Sequence, residues 1–167
     1  PLGSLRIEAL DVTAGSADKC EACRKLGADH LLNYASGDLK DTLKKLTNGS
    51  GVDVIYDPVG GDLAEPSLRS IAWRGRYLVV GFAQGGIPAL PLNLMLLKGA
   101  SVVGVFWGDF VRREPAASAQ QMQALAQWYA RGLVKPVIDQ VLPMEKARDG
   151  FAAMAQGDLF GKVVFTR

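Results

Sequence analysis

Short runs of branched and apolar residues alternate with helix-patterned segments along almost the whole chain, and this alternation most restricts how it can fold. A strand, a crossover helix and a further strand in one sheet make the strands parallel. Strands that are apolar at successive positions need cover on both faces. Residues 7–13 read as a strand closed by the turn Ala14-Gly15-Ser16. Ser16 can cap a helix over 17–26, with Gly27 beyond its end. A short strand follows at 31–34, then a helix over 38–46 with Leu39, Leu43 and Leu46 on one face, then the turn Asn48-Gly49-Ser50-Gly51. A strand at 52–56 breaks at Asp57-Pro58-Val59-Gly60-Gly61, and helical spacing resumes over 62–73. The run 76–81 is the clearest strand, apolar enough to be buried on both faces. A Gly- and Pro-rich loop spans 82–91, another buried strand 101–106, and a long helix 116–131 closes at Gly132. The chain ends as strand 137–141, helix 145–156 and strand 162–166. The expected fold class is α/β, a doubly wound parallel sheet.

Composition supports a folded core and narrows the partners. The 167 residues suit one domain, or one with a short appendage. Nineteen Lys and Arg against 17 acidic residues, with no long basic run, point to neither nucleic acid nor a membrane surface. No apolar stretch approaches the roughly 20 residues of a spanning helix. Two cysteines cannot staple a chain of this size, so a reduced intracellular setting, cytoplasmic or mitochondrial, is expected. Pro1-Leu2-Gly3-Ser4 reads as the remnant of a cleaved tag, and from Leu5 the sequence enters apolar alternation without a cap or turn. A piece of a longer polypeptide is expected.

In doubly wound sheets, ligands bind at the carboxyl ends of the strands. Glycine recurs there, at Gly15, Gly60-Gly61, Gly81 and Gly104, where a side chain would block close approach to the backbone. Four such positions on one edge favour a binding crevice over ordinary turn chemistry. Cys20 and Cys23 form a lone C-x-x-C without the second pair or histidines that a zinc site needs, and read as ordinary helix cysteines. The single histidine, His30, reads as structural, and Asp57 as a turn-former rather than a base.

The runs Val54-Ile55-Tyr56-Asp57-Pro58-Val59-Gly60-Gly61 and Gly75-Arg76-Tyr77-Leu78-Val79-Val80-Gly81-Phe82-Ala83 resemble the quinone oxidoreductase family. So do Pro91-Leu92-Asn93-Leu94-Met95-Leu96-Leu97-Lys98-Gly99 and Val103-Gly104-Val105-Phe106-Trp107-Gly108. This zeta-crystallin-like family is the zinc-independent branch of the medium-chain dehydrogenase/reductase superfamily. The resemblance implies a partial Rossmann-type dinucleotide-binding domain over 5–136. It lacks the first strand and the Gly-rich phosphate loop, and no G-x-G-x-x-G occurs in the sequence. Residues 137–167 correspond to a C-terminal return into the catalytic domain.

For the intact protein the resemblance implies NADPH-dependent reduction of quinones or α,β-unsaturated carbonyls. An enoyl reductase and a non-catalytic, truncated form acting through association are the alternatives. Ser16, Lys19 and Tyr34 fall where the family meets the 2′-phosphate. Gly61, Gly81 and Phe82 border the ribose and nicotinamide, and Val105 and Phe106 form the far wall. Lys162 matches a basic residue near the pyrophosphate. The residues name no general acid, and the chain as given is expected to be inactive. With the first strand absent, two apolar strand edges are expected to drive a homodimer.

Overall fold

The computed structural model describes residues 9–35, 37–157 and 159–167. In chain order these form β1 (Asp11–Ala14), α1 (Ala17–Lys25), β2 (His30–Asn33), α2 (Leu39–Leu46) and β3 (Val52–Asp57). A 3-10 turn over Gly61–Leu63 leads into α3 (Ala64–Arg69), β4 (Ile71–Val79), α4 (Asn93–Lys98), β5 (Ser101–Gly104), α5 (Trp107–Arg113) and α6 (Pro115–Ala130). The chain closes with β6 (Ile138–Pro143), a 3-10 turn over Met144–Lys146, α7 (Ala147–Gln156) and β7 (Lys162–Thr166). Part of the strand expected over 7–13 lies outside the described residues.

Among the described residues every strand pairing is parallel, as the alternation requires: β1 with β2, β4 between β3 and β5, and β6 with β7. In the doubly wound order 3-2-1-4-5-6, β2-β1 and β3-β4-β5 take the places 3-2 and 4-5-6. Among the described residues no strand lies between β1 and β3. The chain divides into two compact units, Pro1–Trp107 and Gly108–Arg167. Among the described residues no helix is long and apolar enough to cross a membrane.

Two apolar clusters hold the first unit together. Ala64, Leu68, Ile71 and Tyr77 are buried between α3 and β4, with Ile55, Val79, Leu94 and Met95 packed around them. Leu32, Leu39 and Leu43 join β2 to α2, and Val52 and Leu63 complete that cluster from the β3 side. Polar caps set the helix starts: the Ser16 side chain accepts from the Lys19 amide at 3.3 Å, and Asp38 accepts from the Asp41 amide at 3.0 Å.

Three expectations need correction. The helix read over 62–73 ends at Arg69, and Ile71–Trp73 open β4 instead. Ile71 satisfies helical spacing, but its backbone pairs with Val52, and sheet pairing wins over local periodicity. The strand over 101–106 stops at Gly104 and is exposed at every position, because β5 is an edge strand. Apolar residues alone do not show that a second layer covers them. Finally, α4 and α5 stand where no helix was expected: apart from Asn93 the run 92–97 is apolar and shows no helical period, and Phe106, just before α5, reads as strand.

Candidate functional site

The carboxyl ends of β3 and β4 are tied into one structure by Asp57. Its Oδ1 accepts from the amides of Val59 (2.8 Å) and Gly60 (2.9 Å), which makes it the turn-former expected from sequence. Its backbone carbonyl accepts from Val80 (2.9 Å) and Gly81 (3.3 Å). Its Oδ2 accepts the hydroxyl hydrogen of Tyr77, which is buried on β4. Burial and the neighbouring carboxylate push the Tyr77 phenol well above the ordinary tyrosine range.

The glycines on this edge serve the protein's own packing first. Gly60 and Gly61 hold φ of 67° and 58°, the left-handed region. A Cβ on Gly60 would stand 2.8 Å from Phe82 Cδ1, and one on Gly61 would stand 2.0 Å from Gln84 Oε1. At Gly81 a Cβ would meet the Pro58 carbonyl oxygen at 3.1 Å. The expectation that glycine leaves room for a ligand is therefore refined: loops 57–61 and 81–86 use that room to lie against each other. The Gly61 amide bonds the Gly86 carbonyl at 3.2 Å, and the Asp62 amide bonds Gln84 Oε1 at 3.0 Å. At Gly104, by contrast, nothing lies within 4 Å of a would-be Cβ.

The tips of β1 and β2 bring Ser16 and Tyr34 together. A Cβ on Gly15 would lie 2.7 Å from the Tyr34 hydroxyl oxygen, so the tyrosine lies over the residue before Ser16. The Tyr34 amide bonds the Ala14 carbonyl at 3.2 Å. Lys19 stands in the first turn of α1 beyond the Ser16 cap, and Asp18 is the acid of that turn. Ser16, Lys19 and Tyr34 thus stand close in the fold around one helix start, and serine, lysine and tyrosine are residue types that can donate to a phosphate.

Val105 continues from β5, its amide bonded to the Val79 carbonyl at 2.9 Å, and Phe106 follows with its ring largely exposed. Lys162 opens β7 in the second unit, its amide bonded to the Val137 carbonyl at 2.9 Å. A shallow groove of about 540 Å³ runs beside Gly61 and includes Asp62, Glu65, Arg69 and residues 86–89. Of the residues expected at the site, only Gly61 lines it.

Cys20 and Cys23 are unbridged on α1, and among the described residues no three His, Cys, Asp or Glu gather as a metal-binding group. His30 Nδ1 pairs with Asp11 Oδ1 at 2.8 Å at the opposite end of β1 and β2, in keeping with a structural role. The Tyr77–Asp57 pair was missed from sequence. The signal was there: a phenol inside an aliphatic strand needs a polar partner when buried.

Parallel β–α units with loops gathered at the carboxyl ends of β3 and β4 define a Rossmann-type α/β domain. Residues 26–165 match the family model described as zinc-binding dehydrogenase, and the chain belongs to that family, within the medium-chain dehydrogenase/reductase superfamily. It is 42% identical over 153 residues to quinone oxidoreductase-like protein 2 of Rattus norvegicus, covering 92% of this chain and 44% of the relative. An NAD-dependent alcohol dehydrogenase structure matches at TM-score 0.82 and 31% identity, over 95% of this chain and 44% of the other. The Escherichia coli quinone oxidoreductase complexed with NADPH matches at TM-score 0.83 and 25% identity, over 95% and 49% of the two chains. The chain thus spans less than half the length of these relatives.

Proposed function

We propose that the whole protein is an NADPH-dependent reductase of quinones or other electron-poor, α,β-unsaturated carbonyls, working without zinc. The names of the structural neighbours divide between NAD and NADPH, so the choice rests on this chain's own residues. The observation that carries it is the grouping of Ser16, Lys19 and Tyr34 at the β1 and β2 tips. A ribose 2′-hydroxyl calls for an acceptor carboxylate at this point, whereas a 2′-phosphate calls for donors and a cation.

A bound nicotinamide supplies the hydride. The chain's part is to hold and orient: Ser16, Lys19 and Tyr34 at the phosphate end, and Gly61, Gly81 and Phe82 at the ribose and nicotinamide end. Val105 and Phe106 bound that end with apolar surface and keep water from it, and Lys162 serves the pyrophosphate.

The test is steady-state NADPH oxidation by the whole protein with a small quinone and a chelator present. Turnover that survives chelation is expected. Preference for a crotonyl-type thioester over the quinone would make the protein an enoyl reductase. No oxidation with either substrate would leave the non-catalytic, associating form.

A further inference from the structure

We propose that Tyr77 and Asp57 are positioning residues for the nicotinamide side of the site, a role that rests on the NADPH reading above. Both loops at that side depend on Asp57. Its carboxylate organises Val59 and Gly60, and its carbonyl holds Val80 and Gly81. Gly61 and Phe82 follow directly, held by Gln84 and by the close approach of the Phe82 ring to Gly60. One carboxylate oxygen thus fixes the turn, and the other needs a donor of its own.

Tyr77 is that donor. It is 1% exposed, in register with Ile55 across the β3–β4 pair, and its ring belongs to the Ala64–Leu68–Ile71 cluster. The core therefore fixes the hydroxyl rather than the loop doing so. Without that hydroxyl, Oδ2 of the half-buried Asp57 loses its Tyr77 donor, and the carboxylate gains by turning outward to water. The Val59 and Gly60 amides then lose their acceptor, and Gly60 and Gly61 have less to hold their left-handed backbone. Tyr77 is too buried to meet substrate or cofactor, so it acts only through Asp57.

The experiment follows backbone amide NMR shifts of this chain during titration with millimolar NADPH. Gly60, Gly61 and Gly81 report one end, and Ser16 and Lys19 the other. In the unaltered chain both sets should move. In Tyr77→Phe the glycine shifts at saturating NADPH should shrink severalfold, while the Ser16 and Lys19 shifts keep their size. Asp57→Asn should retain most of the glycine response, because its amide oxygen still accepts from Val59 and Gly60 and its NH₂ can donate to the phenol. Asp57→Ala should lose that response.

Equal titrations for Tyr77→Phe and the unaltered chain would overturn the positioning role. So would an equal loss at both ends, which marks general destabilisation. Shifts confined to Ser16 and Lys19 in the unaltered chain would overturn the positioning role and leave the NADPH reading standing. No shift at either end would overturn the positioning role for this chain, and the turnover assay on the whole protein would then decide the NADPH reading.

Discussion

The Ser16 hydroxyl oxygen accepts the Lys19 amide, and a hydroxyl that accepts in this way still has a proton to donate. Helix capping and phosphate recognition are therefore compatible on one side chain, and truncating Lys19 removes the ammonium while leaving the cap's amide in place. Lys19→Ala in the whole protein should weaken NADPH binding by roughly 1.5–3 kcal/mol and leave NADH almost unchanged. Fluorescence titration of both cofactors measures this, and equal affinities in the unaltered protein would remove the assignment. Tyr77 gives a second residue-scale prediction. Its folded-state ionisation is pushed above that of an unfolded tyrosine, near about 10, so above that pH the unfolded chain releases a proton the folded chain keeps. Stability should be unaffected below about pH 10 and fall as pH rises beyond it, by at most about 1.4 kcal/mol per pH unit from this group. Urea midpoints on either side of about pH 10 test it, and Tyr77→Phe should flatten the loss. At this scale the local roles were readable: Ser16 as cap and Asp57 as turn-former follow from short-range chemistry. The bond from Tyr77 to Asp57 spans 20 residues and becomes visible only once β3 and β4 are in register.

The boundary between α3 and β4 shows where pattern reading of elements stops working. Ala64, Leu68, Ile71 and Ala72 fall close to helical spacing, and all four are buried, so periodicity alone extends the helix past Arg69. Parallel pairing of Ile71 with Val52 decides otherwise, and that partner lies 19 residues away. Burial of β5 was misread for a related reason: its valines have the residue types of a core strand, yet Val102 and Val103 remain exposed on the sheet edge. Residue type reports what a segment can bury, not what covers it. The consequence for stability is specific. Leu68 is fully buried and Leu96 is 82% exposed, although both are leucines on short helices. Leu68→Ala should cost about 2–5 kcal/mol, and Leu96→Ala within about 0.5 kcal/mol of nothing. Paired denaturant titrations of this chain decide it. Comparable losses would mean that the exposed face of α4 is covered in solution.

At the scale of the molecule, the parallel class and strand order were legible because strand–helix alternation leaves few topologies open. What pairs with the inner edges of β1 and β3 was not, since no periodicity in a sequence reports an unfilled place in a sheet. Among the described residues, β1 pairs only with β2 and β3 only with β4, so each presents an unpartnered backbone edge toward the same side of the sheet order. The β3 edge also carries apolar surface, with Val54 38% and Tyr56 66% exposed. Such an edge is a template for another strand, and each backbone group buried there without a partner costs about 1–3 kcal/mol. Closure of β1 directly onto β3 would relieve this, but the structure keeps the two sheets separate. A second copy of the chain can pair edge to edge without rearranging either core, so this chain should self-associate. Sedimentation velocity over the low micromolar range should show a coefficient that rises with concentration. Tyr56→Lys, which adds a desolvation cost at the β3 edge, should shift the population toward monomer. A compact monomer at every concentration would rule out the dimer and indicate that β1 and β3 close on each other in solution.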